Sequence, residues 1–188
     1  MEAMTKTKTN MLILSAIFAA VVAVCSQIQI PLAPVPINLA TFAIFMTAGL
    51  LGWKYGTLSL IVYVLLGSVG APVFAGFSGG FGVIAGPTGG YIVGYIFAAL
   101  ITGLIIEKKT TTAGRPSYPV LVASMVAGLF VCYLLGTIWF IHITGWTLVK
   151  ALVSCVLIFL PGDALKIALS TILLGKLMPH TRKYTGIN

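Results

Sequence analysis

Apolar stretches of helix-spanning length, with only short polar interruptions between them, run through nearly all of this chain. Of 188 residues, 59% are hydrophobic and 7% charged, whereas a soluble domain carries about 25% charged residues. The expectation is an all-α integral membrane protein. A net charge of +8 would point to nucleic acid in a soluble protein, but here the basic residues sit at the ends of apolar segments. There they act as topology determinants, and no nucleic-acid partner is expected. Cys25, Cys132 and Cys155 lie inside apolar runs at no metal-ligand spacing, so they read as small core residues; no metal site and no cofactor is expected.

Six spans are expected: Met11–Ile30, Ile37–Gly52, Gly56–Val69, Tyr91–Ile106, Tyr118 to about Phe140, and Pro161–Met178. Residues 1–10 and 180–188 read as cytoplasmic tails, and 11–179 as a single six-helix membrane domain. No small-residue cleavage site follows the first apolar run, which is read as a retained helix. Lys6, Lys8, Lys54, Lys108, Lys109, Arg115, Lys176, Arg182 and Lys183 fall on one side of this arrangement, with Lys150 opposite. That asymmetry puts both termini of a multi-pass membrane protein in the cytoplasm. Ala16 and Ala20 share one face of the first helix, where small residues four apart permit close helix approach in lipid. Gly90, Gly94 and Ala98 repeat that spacing in the fourth span. Residues 146–160 read as a short interfacial helix, since one helix from Thr147 to Met178 would be ~48 Å long, well over the hydrocarbon core.

One acidic residue breaks the apolar pattern. Asp163 is the sole carboxylate inside any hydrophobic segment, and Lys166 follows on the same helical face. Pro161 and Gly162 just before them mark a helix start. An ionisable group at membrane depth costs about 2.5–3.5 kcal/mol or more, so it needs a partner or a task. Either the pair neutralises itself and locks a bend, or it forms the polar floor of a pocket; the pocket is the stronger expectation.

Two other segments converge on the same side. Pro31-Leu-Ala-Pro-Val-Pro36 carries no charge and reads as a stiff, extended lid. Gly70 to Gly90 is too glycine-rich for a spanning helix and too apolar for an exposed loop, so it reads as a re-entrant, pocket-lining segment. No lysine follows in a GK[ST] arrangement, which excludes a phosphate cradle. A wall of Phe74, Phe77, Phe81, Tyr91 and Phe159 suits a small, mostly apolar molecule with a compact polar head.

Four motifs in order carry a resemblance: Pro34-Val-Pro36, Gly70-Ala-Pro-Val-Phe-Ala-Gly-Phe-Ser-Gly-Gly80, Gly86-Pro-Thr-Gly-Gly-Tyr91 and Phe159-Leu-Pro-Gly-Asp-Ala-Leu-Lys166. Together they closely resemble the biotin-specific S component (BioY type) of energy-coupling-factor (ECF) transporters. The resemblance covers nearly the whole chain after its first ten residues. It implies an ECF S-component-like fold, capture of biotin at the outer face, and docking onto a membrane scaffold (T) subunit driven by two ATPase (A) subunits. ATP hydrolysis would belong to those partners, and this chain would not be an enzyme. It also implies that Ala16 and Ala20 form the docking face and that biotin's fused ring lies near Asp163 and Lys166. Phe74, Gly79, Tyr91, Pro36 and Asn38 complete the expected ligand-binding set. The segment after the proline lid departs from the family pattern, with Asn38 and Ala40 where threonine and glutamine are usual.

Two rival readings are weighed. S components for thiamine or riboflavin share the scaffold, but their motifs match less well. Gly76-Phe-Ser-Gly79 fits the G-x-S-G of rhomboid-type intramembrane proteases, with His142 as base. So short a pattern arises often by chance in a glycine-rich loop.

Overall fold

The computed structural model describes residues 2–32, 35–110 and 116–185. The chain is almost entirely helical, with α1 (Glu2–Gln27), α2 (Ala40–Ser68), α3 (Phe81–Ala85), α4 (Gly89–Lys108), α5 (Tyr118–Thr144), α6 (Leu148–Leu152) and α7 (Leu160–Thr185). Helix extends through the described parts of both expected tails, since α1 starts at Glu2 and α7 runs to Thr185.

Four helical segments among the described residues are long and apolar enough to cross a bilayer: Lys8–Gln27, Ala40–Ser68, Gly89–Lys108 and Tyr118–Thr144. Leu148–Leu157 and Leu160–Thr181, bent by 40° at their break, make a fifth if counted as one crossing. The expected six is reached only by counting the two arms of α2 separately. Gly52, at φ 71° and ψ −179°, leaves helical geometry in the middle of that element. A Cβ placed on Gly56 would lie 3.1 Å from the Ala48 Cα, although eight residues of straight helix are ~12 Å long. The arms therefore double back, and a residue with a side chain at Gly52 would be strained. At this corner the Trp53 N–H donates to Glu107 Oε2 at 3.4 Å.

Packing follows small residues. In α1, Met11, Ser15, Ala19, Val22 and Ser26 are buried on the face toward α2. Between α4 and α5, a Cβ on Gly90 would meet Trp139 Cβ at 2.3 Å, one on Gly94 would meet Cys132 Cα at 3.1 Å, and one on Gly128 would meet the Ala98 oxygen at 2.7 Å. In lipid, where apolar burial gives little drive between helices, such close approach supplies the dispersion contacts. Helix α7 packs chiefly on α2 and also on α5.

One connection differs from expectation, and another follows it. The expected extended lid includes residues 33 and 34, which lie outside the described residues; on either side of it β1 (Gln29–Ile30) pairs antiparallel with β2 (Ile37–Asn38), so the flanking chain returns on itself. Its two pairs, Gln29 with Asn38 and Ile30 with Ile37, lie outside the proline tract, whose rings cannot donate to a ladder. The break before the last helix falls at Ile158–Phe159, after a π-helical segment Val153–Leu157. Pro161 and Gly162 then lie in the first turn of α7, where proline removes no intrahelical bond.

Candidate functional site

The first turns of α7 place Asp163 and Lys166 on one face, and both are buried. The Asp163 N–H closes the first turn onto the Phe159 carbonyl at 2.9 Å. Lys166 Nζ lies 2.9 Å from Asp163 Oδ1, with the two side chains 9% and 3% exposed. Thr41, from the start of α2, donates to the same oxygen at 3.1 Å and accepts from Lys166 Nζ at 3.1 Å. Tyr133, in the middle of α5, donates to Asp163 Oδ2. Three helices thus answer both charges, which meets the need of a buried ion pair for excellent geometry and added hydrogen bonds. The self-neutralising pair weighed from sequence is therefore formed. It also lines a cavity, so the two readings do not exclude each other. Lys166 uses two of its three N–H groups here, and the carboxylate retains acceptor capacity.

That cavity, of ≈ 40 Å³, is walled by Asp163, Lys166, Thr41, Tyr133, Cys132, Cys155 and Phe159 among others. A larger chamber of ≈ 150 Å³ adjoins it, walled by Phe74, Ala75, Ser78 and Val83 of the glycine-rich region together with Tyr63, Thr88 and Ile92. Val35, Pro36, Asn38, Tyr91 and Tyr95 border both, so the two spaces form one bipartite site.

The expected residues distribute unevenly over it. Phe74 is 1% exposed, edge-to-face with Tyr63 at 5.5 Å between centroids. Tyr91 pairs its hydroxyl with Thr137 Oγ1 at 3.2 Å. Asn38 turns its side-chain oxygen back to accept the Ala40 N–H at 3.1 Å, opening α2. Gly79 walls neither chamber. A Cβ there would meet the Ala71 oxygen at 2.3 Å, so this glycine lets two stretches of loop backbone pass. Phe77 and Phe81, expected in the wall, are 72% and 73% exposed and point away from it. In a loop this glycine-rich, the backbone rather than side-chain polarity decides which ring turns inward. Ala16 and Ala20 are exposed on α1, beside the buried Ser15, Ala19 and Val22. Ser78 Oγ donates to the Ala75 carbonyl at 2.9 Å, while His142 lies against Trp139 at the end of α5. No nucleophile–base pair joins them among the described residues, and the protease reading is not favoured.

Sequence reasoning missed Thr41, Tyr133 and Tyr95. Tyr95 carried a usable signal, standing one helical turn after Tyr91. Thr41 and Tyr133 are ordinary residues in apolar helices, and only the folded arrangement brings them to Asp163.

The chain matches the BioY family over residues 1–183. It is 50% identical over 125 residues to a biotin transporter BioY of Thermotoga maritima, covering 66% of this chain and 70% of that one. Against a probable biotin transporter BioY of Pyrococcus horikoshii it is 39% identical over 168 residues, covering 89% and 96%. Its fold superposes on a crystal structure of the S-component for biotin from an ECF-type ABC transporter with a TM-score of 0.81, at 30% identity and 95% and 93% coverage. With the fold, the order of motifs and this full-length match in agreement, the chain belongs to the BioY family.

Proposed function

We propose that this multi-pass membrane protein is the biotin-capturing S component of an ECF-type importer. The observation that carries the proposal is the buried Asp163–Lys166 pair lining the smaller half of a bipartite cavity, in a chain of this family. A ureido group offers two N–H donors and a carbonyl acceptor. Asp163 has lone pairs for the former, and Lys166 has an N–H for the latter. Phe74, Tyr91, Pro36 and Asn38 then enclose the rest of the molecule in the larger chamber, and Gly79 acts through the path of the loop. Titration calorimetry of the purified chain with biotin tests this: saturable heat is expected, and its absence removes the cargo.

Transport on this reading needs partners. The exposed Ala16–Ala20 stripe of α1 is the docking face for a membrane scaffold subunit, and two ATPase subunits supply the energy. The basic residues gathered on one side of the chain orient both termini toward the cytoplasm, leaving the cavity mouth outside. An Ala16→Trp substitution should leave biotin affinity within about twofold and cut uptake by the assembled complex at least about tenfold, because indole bulk prevents close helix approach. Vesicle uptake of labelled biotin measures it.

A further inference from the structure

Gln27, at the end of α1, walls neither chamber, yet its carboxamide reaches into the glycine-rich loop. Its Nε2 donates toward the carbonyls of Phe74 at 3.0 Å, Val73 at 3.1 Å and Ala23 at 3.2 Å. Its Oε1 accepts the Phe77 N–H at 2.8 Å. One side chain thus answers a donor and two acceptors of the loop backbone, the Phe77 N–H at an exposed position and the Val73 and Phe74 carbonyls at part-buried ones, and each such bond contributes a modest net stabilisation.

The loop requires such a hold. Gly76 and Phe77 are consecutive left-handed residues, at φ 70° and 54°, and Phe77 is the sole non-glycine with positive φ among the described residues. A bulky residue keeps that conformation only where its surroundings enforce it. The turn closes through the Phe74 N–H onto the Ser78 carbonyl at 3.0 Å. Phe74, Ala75 and Ser78 on this turn are also walls of the larger chamber. A group on another helix therefore sets where three wall residues stand.

We propose that Gln27 is a latch that holds the glycine-rich loop closed over the larger chamber, a positioning residue that acts on the ligand through the loop. The inference rests on the capture-subunit reading. Opening the loop breaks the bonds to Val73, Phe74 and Phe77 together, so the latch governs the rate at which a captured molecule leaves.

The test follows the release of radiolabelled biotin from the purified chain, chased with unlabelled biotin. Gln27→Leu is expected to speed release about tenfold to hundredfold, the equivalent of one or two unpaired backbone groups. Gln27→Glu keeps the acceptor facing Phe77 but sets a carboxylate oxygen against the Val73 and Phe74 carbonyls; it is expected to release biotin at least as fast as Gln27→Leu, and it decides the matter if the leucine variant does not fold. Adding Phe77→Gly to Gln27→Leu removes the left-handed strain and should partly restore slow release, which a mere helix-end role for Gln27 would not produce. Wild-type release from the folded Gln27 variants overturns the latch alone. A wild-type chain that does not retain biotin overturns the capture reading and the latch with it.

Discussion

The larger chamber takes its polar groups from neutral residues that already have neutral partners: Tyr63 with Ser26, Tyr91 with Thr137, Ser78 with the Ala75 carbonyl. The smaller takes them from an ion pair on α7 and from two hydroxyls, of α2 and α5, that each bond to that pair. The two halves should therefore answer differently to damage. Loss of a neutral bond costs about 0.5–1.5 kcal/mol, whereas loss of one member of a buried ion pair costs about 3–5 kcal/mol by leaving the other charge unpaired. On the proposed capture reading, the larger half fixes shape and the smaller half fixes chemical identity.

The widest gap between the halves is expected from Asp163→Asn, which leaves the Lys166 ammonium without a counter-charge. Biotin affinity should fall more than about hundredfold; unchanged calorimetric affinity would detach the pair from the site. Tyr133→Phe removes one donor to the carboxylate and should lower stability by about 1.5–3 kcal/mol, read as thermal unfolding in detergent. On the other side of the comparison, Gly67→Ala puts a methyl 2.1 Å from the Phe74 ring. Overpacking of that kind costs about 1–3 kcal/mol, and the displaced ring should weaken binding about tenfold without altering which analogues are accepted. Ser78→Ala should have the smallest effect, shifting affinity by less than about threefold. Equal losses from Ser78→Ala and Asp163→Asn would erase the distinction.

What could be read in the linear chain was whatever is rare in lipid. A single carboxylate, a proline–glycine helix start and glycines at spacing four stand out because each is costly or idle in an apolar helix unless something uses it. Asp163, Lys166 and the Gly90–Gly94 packing face were legible for that reason. Thr41, Tyr133 and Gln27 were not, since single hydroxyls and amides in apolar helices are common and gain meaning only from what lies opposite. The proline hairpin escaped because its ladder residues, Gln29, Ile30, Ile37 and Asn38, are too few for any alternation to register. Phe77 and Phe81 were misplaced because hydrophobicity is uninformative about direction when both sides of a loop are apolar.

The seam between α4 and α5 has a bearing on selectivity. Gly136 faces the ring of Tyr91 so closely that a Cβ there would lie 2.1 Å from Cδ1, and Tyr91 is one of the residues that border both chambers. One wall of the cavity is therefore gauged from behind, by a position on the neighbouring helix that recedes to admit an aromatic ring. A single methyl at Gly136 would narrow the passage for a cargo it never meets.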